Sequence, residues 1–183
     1  GNVSCTGPRA CYDESKRLGE TISTIYQREF NVPIRIVRPF NVYGPGQKLD
    51  DGRIIPDIMK SITNNNDITL YSNGKPTRSF CYISDQIRGI IEVMFNGING
   101  QAYNVGNNQE VSINQLAKIA INLSKKKLKI IKKVNKDKTF NVDCPNRRCP
   151  NIEKIYKLNQ WKPKFSLKDG LLKTINYYKG IKN

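Results

Sequence analysis

Short β-branched runs alternate along this chain with stretches whose apolar residues recur every three to four positions. That alternation restricts the fold more than any other feature of the sequence. "IRIVRPF", "DITLYSNG", "RSFCYIS" and "QAYNVGN" have the composition of strands. The segments between them carry one apolar face at helical spacing. A chain that keeps switching between the two periods builds an α/β sheet rather than a helix bundle or a β-sandwich.

Roughly residues 10–30 are expected to form the first helix. Pro8 precedes it, and Leu18, Ile22, Ile25 and Tyr26 recur at helical spacing until Asn31-Val32-Pro33 stops it. "IRIVRPF" predicts a strand of about six residues ended by Pro39, and "NVYGPGQKLDDG" reads as a loop. "RIIPDIMKSI" predicts a helix with Pro56 in its first turns. "DITLYSNG" reads as a strand and turn, "RSFCYIS" as a second strand, and Asp85 as the N-cap of a helix over 86–96. "QAYNVGN" adds a short strand. Ser112 is the expected cap of "INQLAKIAINL", whose Ile113, Leu116, Ile119, Ala120 and Leu123 share one face. Residues 125–133 then predict a partly buried strand, followed by a polar loop through Cys149, a short helix "NIEKIYKL", and a last helix from near Ser166. That last helix carries Leu167, Leu171, Leu172 and Ile175. There is no internal repeat.

Composition narrows the chemistry. Lys and Arg number 31 against 15 acids, a net charge of +16. They are spread along the chain, with one dense cluster, "KKKLKIIKK". Such scatter argues against a nucleic-acid-binding face and suits an anionic small substrate. The five Cys show no C-x-x-C spacing. Cys144 and Cys149 of "CPNRRC" lack a second ligand pair, so neither a full disulfide set nor a zinc site is expected. Without a single His, acid–base work falls to Tyr, Lys, Asp or Glu. No run of about 18 apolar residues predicts a membrane span. The Gly1-Asn2 start reads as a cut inside a longer protein, with any targeting signal upstream and a cytoplasmic location expected.

Tyr12 stands four residues before Lys16 in "PRACYDESKRLGET". A tyrosine ordinarily ionises near pH 10; a lysine cation one helical turn away favours the phenolate and makes it a usable base. The spacing alone decides nothing, because a chain with 9 Tyr and 21 Lys supplies about one such pair by chance. It occurs three times, at Tyr12/Lys16, Tyr71/Lys75 and Tyr178/Lys182. The second crosses the turn "YSNGK" and the third sits at the C-terminus. Only the first lies in a helix, where such residues share a face. A G-x-G-x-x-G turn for a dinucleotide's pyrophosphate is absent, and "GPG" at 44–46 reads as turn chemistry.

The neighbouring segments carry more weight. "GPRACYDESKRLGET", "RIVRPFNVYGPG", "DDGRIIPDIM", "TRSFCYISDQIRGI", "YNVGN" and "RRCPNIEKIYKLNQWKP" follow one another in order. Together they resemble the C-terminal part of the extended short-chain dehydrogenase/reductases, the NAD-dependent sugar-nucleotide epimerase/dehydratase family. Within it, "CYDE", "DDGR" and "TRSFCY" resemble the UDP-glucuronate decarboxylase (UDP-xylose synthase) branch. "RPFNVYGPGQ" is shared with epimerases and dehydratases.

The resemblance implies an α/β fold: the C-terminal part of a Rossmann-like, doubly wound sheet with a small α/β substrate-binding lobe, its N-terminal half missing. Residues 1–45 correspond to the last part of the NAD-binding domain. Residues 46–183 correspond mainly to the substrate lobe, with segments near 78–110 returning to the core. Tyr12 resembles the catalytic Tyr, and Lys16 its partner at the nicotinamide ribose. Pro39 and Phe40 resemble the segment beside the nicotinamide. Asn41 resembles the Asn that meets the substrate diphosphate; a loop cap is its plainer role. Arg53 and Arg78 resemble substrate-binding arginines, Arg78 also lying near the sugar carboxylate in decarboxylases; a surface salt bridge is the plainer role of each. Phe80 corresponds to an aromatic near the nucleoside, and Arg148 to the Arg that closes on the diphosphate. Asn151 stands where the family often has Asp, and Ser15 where decarboxylases usually have Gly.

The implied activity is NAD-dependent decarboxylation of a UDP-sugar through a 4-keto intermediate, with the fragment inactive alone. A 4,6-dehydratase or 4-epimerase is the alternative, and an acid–base pair upstream of Gly1 would separate them. A basic nucleic-acid-binding module or a degenerate dimerisation module is the reading from outside enzymology. The intact family protein is expected to be a homodimer.

Overall fold

The computed structural model describes residues 4–8, 10–133 and 145–180. The first helix, α1, runs Ala10–Phe30 and ends as expected, with Asn31 in the left-handed conformation at φ 52°. The strand that follows, β1 (Ile36–Pro39), is shorter than "IRIVRPF" suggests. It extends only as far as its parallel partner β6 (Ala102–Val105), in the register Ile36↔Ala102 to Pro39↔Val105. The expected loop after it holds a further two-residue strand, β2 (Val42–Tyr43). This pairs in parallel with β5 (Cys81–Tyr82).

Helix α2 (Ile54–Asn64) carries Pro56 in its first turn, where a backbone N–H has no partner within the helix to lose. β3 (Ile68–Leu70) pairs in parallel with β8 (Ile130–Lys132). The expected strand over 125–133 therefore divides. Lys125 closes α4 (Ile113–Ser124) in a left-handed conformation, and only three residues join the sheet. "RSFCYIS" divides as well, into β4 (Thr77–Ser79) and β5, with Phe80 between them.

β4 is the centre of a three-stranded sheet. It runs antiparallel to β7 (Glu110–Ser112) and parallel to β9 (Arg147–Arg148). Neither outer strand is apparent in the sequence. Ser112 does cap α4: its Oγ accepts from the Gln115 N–H, and the Gln115 side chain returns to the Ser112 N–H.

Asp85 does not play the capping role expected of it. α3 (Ile83–Asn96) begins three residues before the expected start at 86, after Tyr82. The buried Asp85 carboxylate instead accepts the backbone N–H of Lys164 at 2.9 Å, that of Phe165 at 2.8 Å and Nη2 of Arg88 at 2.9 Å. It thereby ties α3 to the segment between α5 (Glu153–Asn159) and α6 (Leu167–Gly180).

Among the described residues two apolar clusters result. The larger joins α2, β3, α4 and α6 around Ile58, Met59, Leu70, Leu116, Leu171 and Ile175. The smaller packs Val93 of α3 and Val105 and Tyr103 of β6 against Ile152, Ile155 and Trp161. Gly89 makes the second possible. A Cβ there would collide with Val105 and come within 2.9 Å of the Trp161 ring. Among the described residues no helix is long and apolar enough to cross a membrane. Cys144 and Lys182 lie outside the described residues.

Candidate active site

Helix α1 presents Tyr12 and Lys16 together. The Lys16 ammonium lies 5.6 Å from the centre of the Tyr12 ring, within the range of cation–π attraction. Both side chains face solvent, Tyr12 with 56% of its surface exposed. Ser15 bonds back to the Tyr12 carbonyl at 2.8 Å. Of the other two Tyr-x-x-x-Lys matches, Tyr71 precedes the turn at Gly74, and Lys182 is not described.

The helix is moored to the sheet by one ion pair among the described residues. Arg38 of β1 engages both carboxylate oxygens of Glu20, with Nε donating to Oε1 at 2.6 Å and Nη2 to Oε2. Arg38 holds the Glu20 carboxyl below its usual range, chiefly by hydrogen bonding; burial opposes this, and the Arg38 charge adds a smaller lowering effect. The sequence reading missed this pair because the partners are 18 residues apart on different elements.

Directly after Arg38 the chain passes through Pro39, Phe40 and Asn41. The Phe40 N–H donates to the Val105 carbonyl at 3.0 Å. Asn41 turns the chain at φ 37°, donates Nδ2 to the Ser79 carbonyl at 2.8 Å and accepts the Cys81 N–H through its own carbonyl. The loop-fixing role and a position beside β4 therefore coexist in one residue.

The β7–β4–β9 sheet sorts its charges by face, because side chains alternate along each strand. Thr77, Ser79, Glu110 and Arg147 share one face. There the Glu110 carboxylate accepts Thr77 Oγ1 at 2.8 Å and Arg147 Nε at 2.9 Å. The Arg147 hydrogen bond is the main cause that holds the Glu110 carboxyl below its usual range. The opposite face carries Arg78, Arg148 and Val111, and Arg78 stands in register with Arg148. Arg78 Nη1 also reaches the Thr77 and Asn146 carbonyls, at 2.7 and 3.3 Å.

The other expected residues are placed differently. Arg53 stands at the N-cap of α2, where Nε donates to Asp51 Oδ2 at 2.8 Å in a local ion pair. Phe80 is 6% exposed and meets the Tyr43 ring edge-on at 6.3 Å, so its ring is committed to the core. Asn151 accepts the Glu153 N–H at the start of α5, and its carbonyl accepts Nδ2 of Asn104. Asn41, Arg78 and Arg148 are thus brought together around β4. Tyr12 and Lys16 stand on α1, and the 38–41 segment links the two groups. Among the described residues no cluster of His, Cys, Asp or Glu has the makings of a metal site.

The exposed phenol and ammonium of α1 match the hydroxyl groups of a nicotinamide ribose in donor and acceptor character. The described residues fit that end of NAD only, since the sequence holds no glycine-rich pyrophosphate turn.

Residues 2–106, more than half the chain, match the family model described as the NAD dependent epimerase/dehydratase family. UDP-glucuronic acid decarboxylase 1 of Arabidopsis thaliana is 37% identical over 98% of this chain and 40% of its own length. The crystal structure of UDP-glucuronic acid 4-epimerase from Bacillus cereus, in complex with UDP-glucuronic acid and NAD, superposes with a TM-score of 0.82. It is 29% identical and is covered over 52% of its length by 93% of this chain. The dTDP-glucose 4,6-dehydratase of Bacillus anthracis in complex with NAD gives 0.81 at 26% identity, with 92% of this chain and 52% of that one covered. The chain thus spans about half the length of these proteins or less, and its architecture is Rossmann-like α/β. It belongs to the NAD dependent epimerase/dehydratase family.

Proposed function

We propose that this chain carries the catalytic helix and substrate lobe of an enzyme that decarboxylates UDP-glucuronate to UDP-xylose. The observation that carries the reading is the in-register pair Arg78–Arg148 beside Asn41. Two arginines in register on one sheet face present planar forks suited to a diphosphate. The likeness to UDP-glucuronic acid decarboxylase 1 supports the same substrate.

Tyr12 takes the proton of the sugar 4-hydroxyl. Lys16 keeps positive charge beside the phenol and bonds the ribose hydroxyls, and Pro39 and Phe40 border the nicotinamide. Bound NAD supplies the hydride acceptor at C4. Arg78 and Arg148 hold the diphosphate, with Arg78 also near the sugar carboxylate, so that binding remote from C4 positions the reacting ring. Arg53 and Phe80 belong to the substrate set at its edges, Arg53 by exchanging Asp51 for phosphate and Phe80 by supporting the nucleoside side of the pocket. Residues 1–45 then belong to the cofactor side. Residues 46–183 belong mainly to the substrate side, with 78–110 returning to the sheet. The working protein is a cytoplasmic homodimer that binds neither nucleic acid nor membrane.

The test uses a form of the protein that carries this chain together with a dinucleotide-binding half. It is supplied with UDP-glucuronate and NAD, and carbon dioxide and sugar products are measured. Tyr12→Phe is expected to lower release at least a hundredfold, and Arg78→Met to raise KM tenfold or more. Release unaffected by Tyr12→Phe rejects the reading. The likeness to the Bacillus cereus 4-epimerase favours a second outcome, in which the carboxylate is retained and C4 inverts. Product analysis separates the two.

A further inference from the structure

Tyr12, Lys16 and Glu20 follow one another at four-residue steps along α1 and so form one stripe on the helix. Lys16 therefore has a candidate partner on either side: the Tyr12 phenol one turn back and the Glu20 carboxylate one turn on. Its ammonium lies over Tyr12. Glu20 is turned away from it, with both oxygens engaged by Arg38. Of the other charges on this part of α1, Glu14 pairs with Arg17 at 3.5 Å, and Asp13, three residues before Lys16, makes no ion pair among the described residues. On the sheet side the residue opposite Arg38 is the uncharged Asn104.

We infer that Arg38 is a positioning residue for the Tyr12–Lys16 pair: by occupying Glu20, it leaves the Lys16 ammonium to Tyr12. Arg38 touches neither substrate nor cofactor in this role. Its use in catalysis rests on the decarboxylase reading above, but the switch of partners does not. Without the guanidinium, Glu20 becomes a free carboxylate one turn from a lysine, an arrangement that forms an ion pair on helix surfaces. Lys16 would then be drawn along the helix, away from the phenol. The bidentate pair also moors α1, so the two roles need separating. Restoring Lys16 by removing the Glu20 charge does so, because that second change cannot restore the mooring.

The measurement is amine acetylation of the chain at neutral pH, with Lys16 followed by mass spectrometry against the exposed Lys60 and Lys118 in the same molecule. Arg38→Met is expected to slow labelling of Lys16 about twofold, the size of an exposed ion pair one turn apart. Arg38→Met with Glu20→Gln returns it to the starting rate. Three outcomes overturn the inference. One is unchanged labelling in Arg38→Met. Another is labelling equally slow in the double variant. The third is faster labelling in the single variant, which marks a loosened helix and a mooring role alone. In the form with both halves, Arg38→Met lowers kcat and Glu20→Gln recovers it. If labelling follows the expected pattern while turnover ignores it, the Tyr12–Lys16 mechanism fails and the positioning role stands.

Discussion

Helices α1 and α4 carry equally clear apolar spacing and end up in opposite environments. α4 buries Leu116, Ala117 and Ala120 completely, against α2 and α6. α1 is nearly twice as long and buries no side chain; Leu18 and Phe30 are 57% and 68% exposed. Periodicity reports that a helix has a face to cover, not what covers it. The difference also divides the labour of the molecule. The α2–β3–α4–α6 lobe supplies stability and holds the sheet that carries Arg78 and Arg148. The candidate catalytic pair rides on the helix that contributes least to the packed core.

Core truncation breaks that comparison most strongly. Ile58 of α2 is fully buried in the larger cluster, and Ile58→Ala is expected to cost about 3 kcal/mol through lost burial and the cavity left behind. Leu18→Ala on α1 removes more side-chain volume from the surface than from any core and is expected to fall within about 0.5 kcal/mol. Urea midpoints of the two variants measure the contrast directly. Similar shifts would mean that α1 is packed in solution against a surface its exposure does not reveal.

The sequence shows the helices far better than the strands. α1, α2, α4 and α6 follow from spacing and caps, since each is a local object whose signals lie within a dozen residues. The short strands depend on partners that are distant in sequence. β7 and β9 each exist through pairing with β4, across gaps of about 30 and 70 residues, and "EVS" and "RR" carry no strand propensity of their own. Asp85 misleads for the same reason. An acid near a helix start reads as a cap, but its true partners are backbone groups about 80 residues on. The site divides similarly. Tyr12 and Lys16 are visible as a local pair, and Arg78 and Arg148 as members of family segments. The register that sets the two arginines side by side, and the Glu20–Arg38 clamp, are tertiary facts.

Alkaline pH tests the packed side of the comparison at a smaller scale. Cys81 of β5 is fully buried, and burial pushes its thiol up to about 12; the Asp85 charge adds to the shift and Arg88 opposes it. In the unfolded chain the same thiol ionises near 9. Above that pH the unfolded state sheds a proton that the folded state keeps. The contribution to stability is therefore full below pH 9 and declines as pH rises toward 12, by up to about 1.4 kcal/mol per pH unit. Tyr43, also raised by burial, adds a decline of its own. The readout is thus the difference between wild type and Cys81→Ala, whose urea midpoints should converge from pH 8.5 to 10.5. A constant gap would place the thiol in contact with water.

Acid pH tests the exposed side, with the smallest expected effect. Arg38 holds the Glu20 carboxyl below its usual value, so the pair stabilises above the ordinary glutamate range near 4.5 and the gain is lost as pH falls through the lowered value. The partners' side chains are 50% and 30% exposed, which limits the pair to less than about 1 kcal/mol. That is too little to move a global unfolding midpoint dependably. It is enough to change local opening of a helix with no buried side chain. Between pH 6 and 3.5, after correction for intrinsic exchange, α1 amides should lose up to about threefold in protection relative to α4 amides. Glu20→Gln, lacking the charge at every pH, should show the lower α1 protection already at pH 6 and little further change. If α1 and α4 lose protection in step, α1 opens only with the lobe. The ion pair would then be a surface ornament rather than the mooring of the catalytic helix.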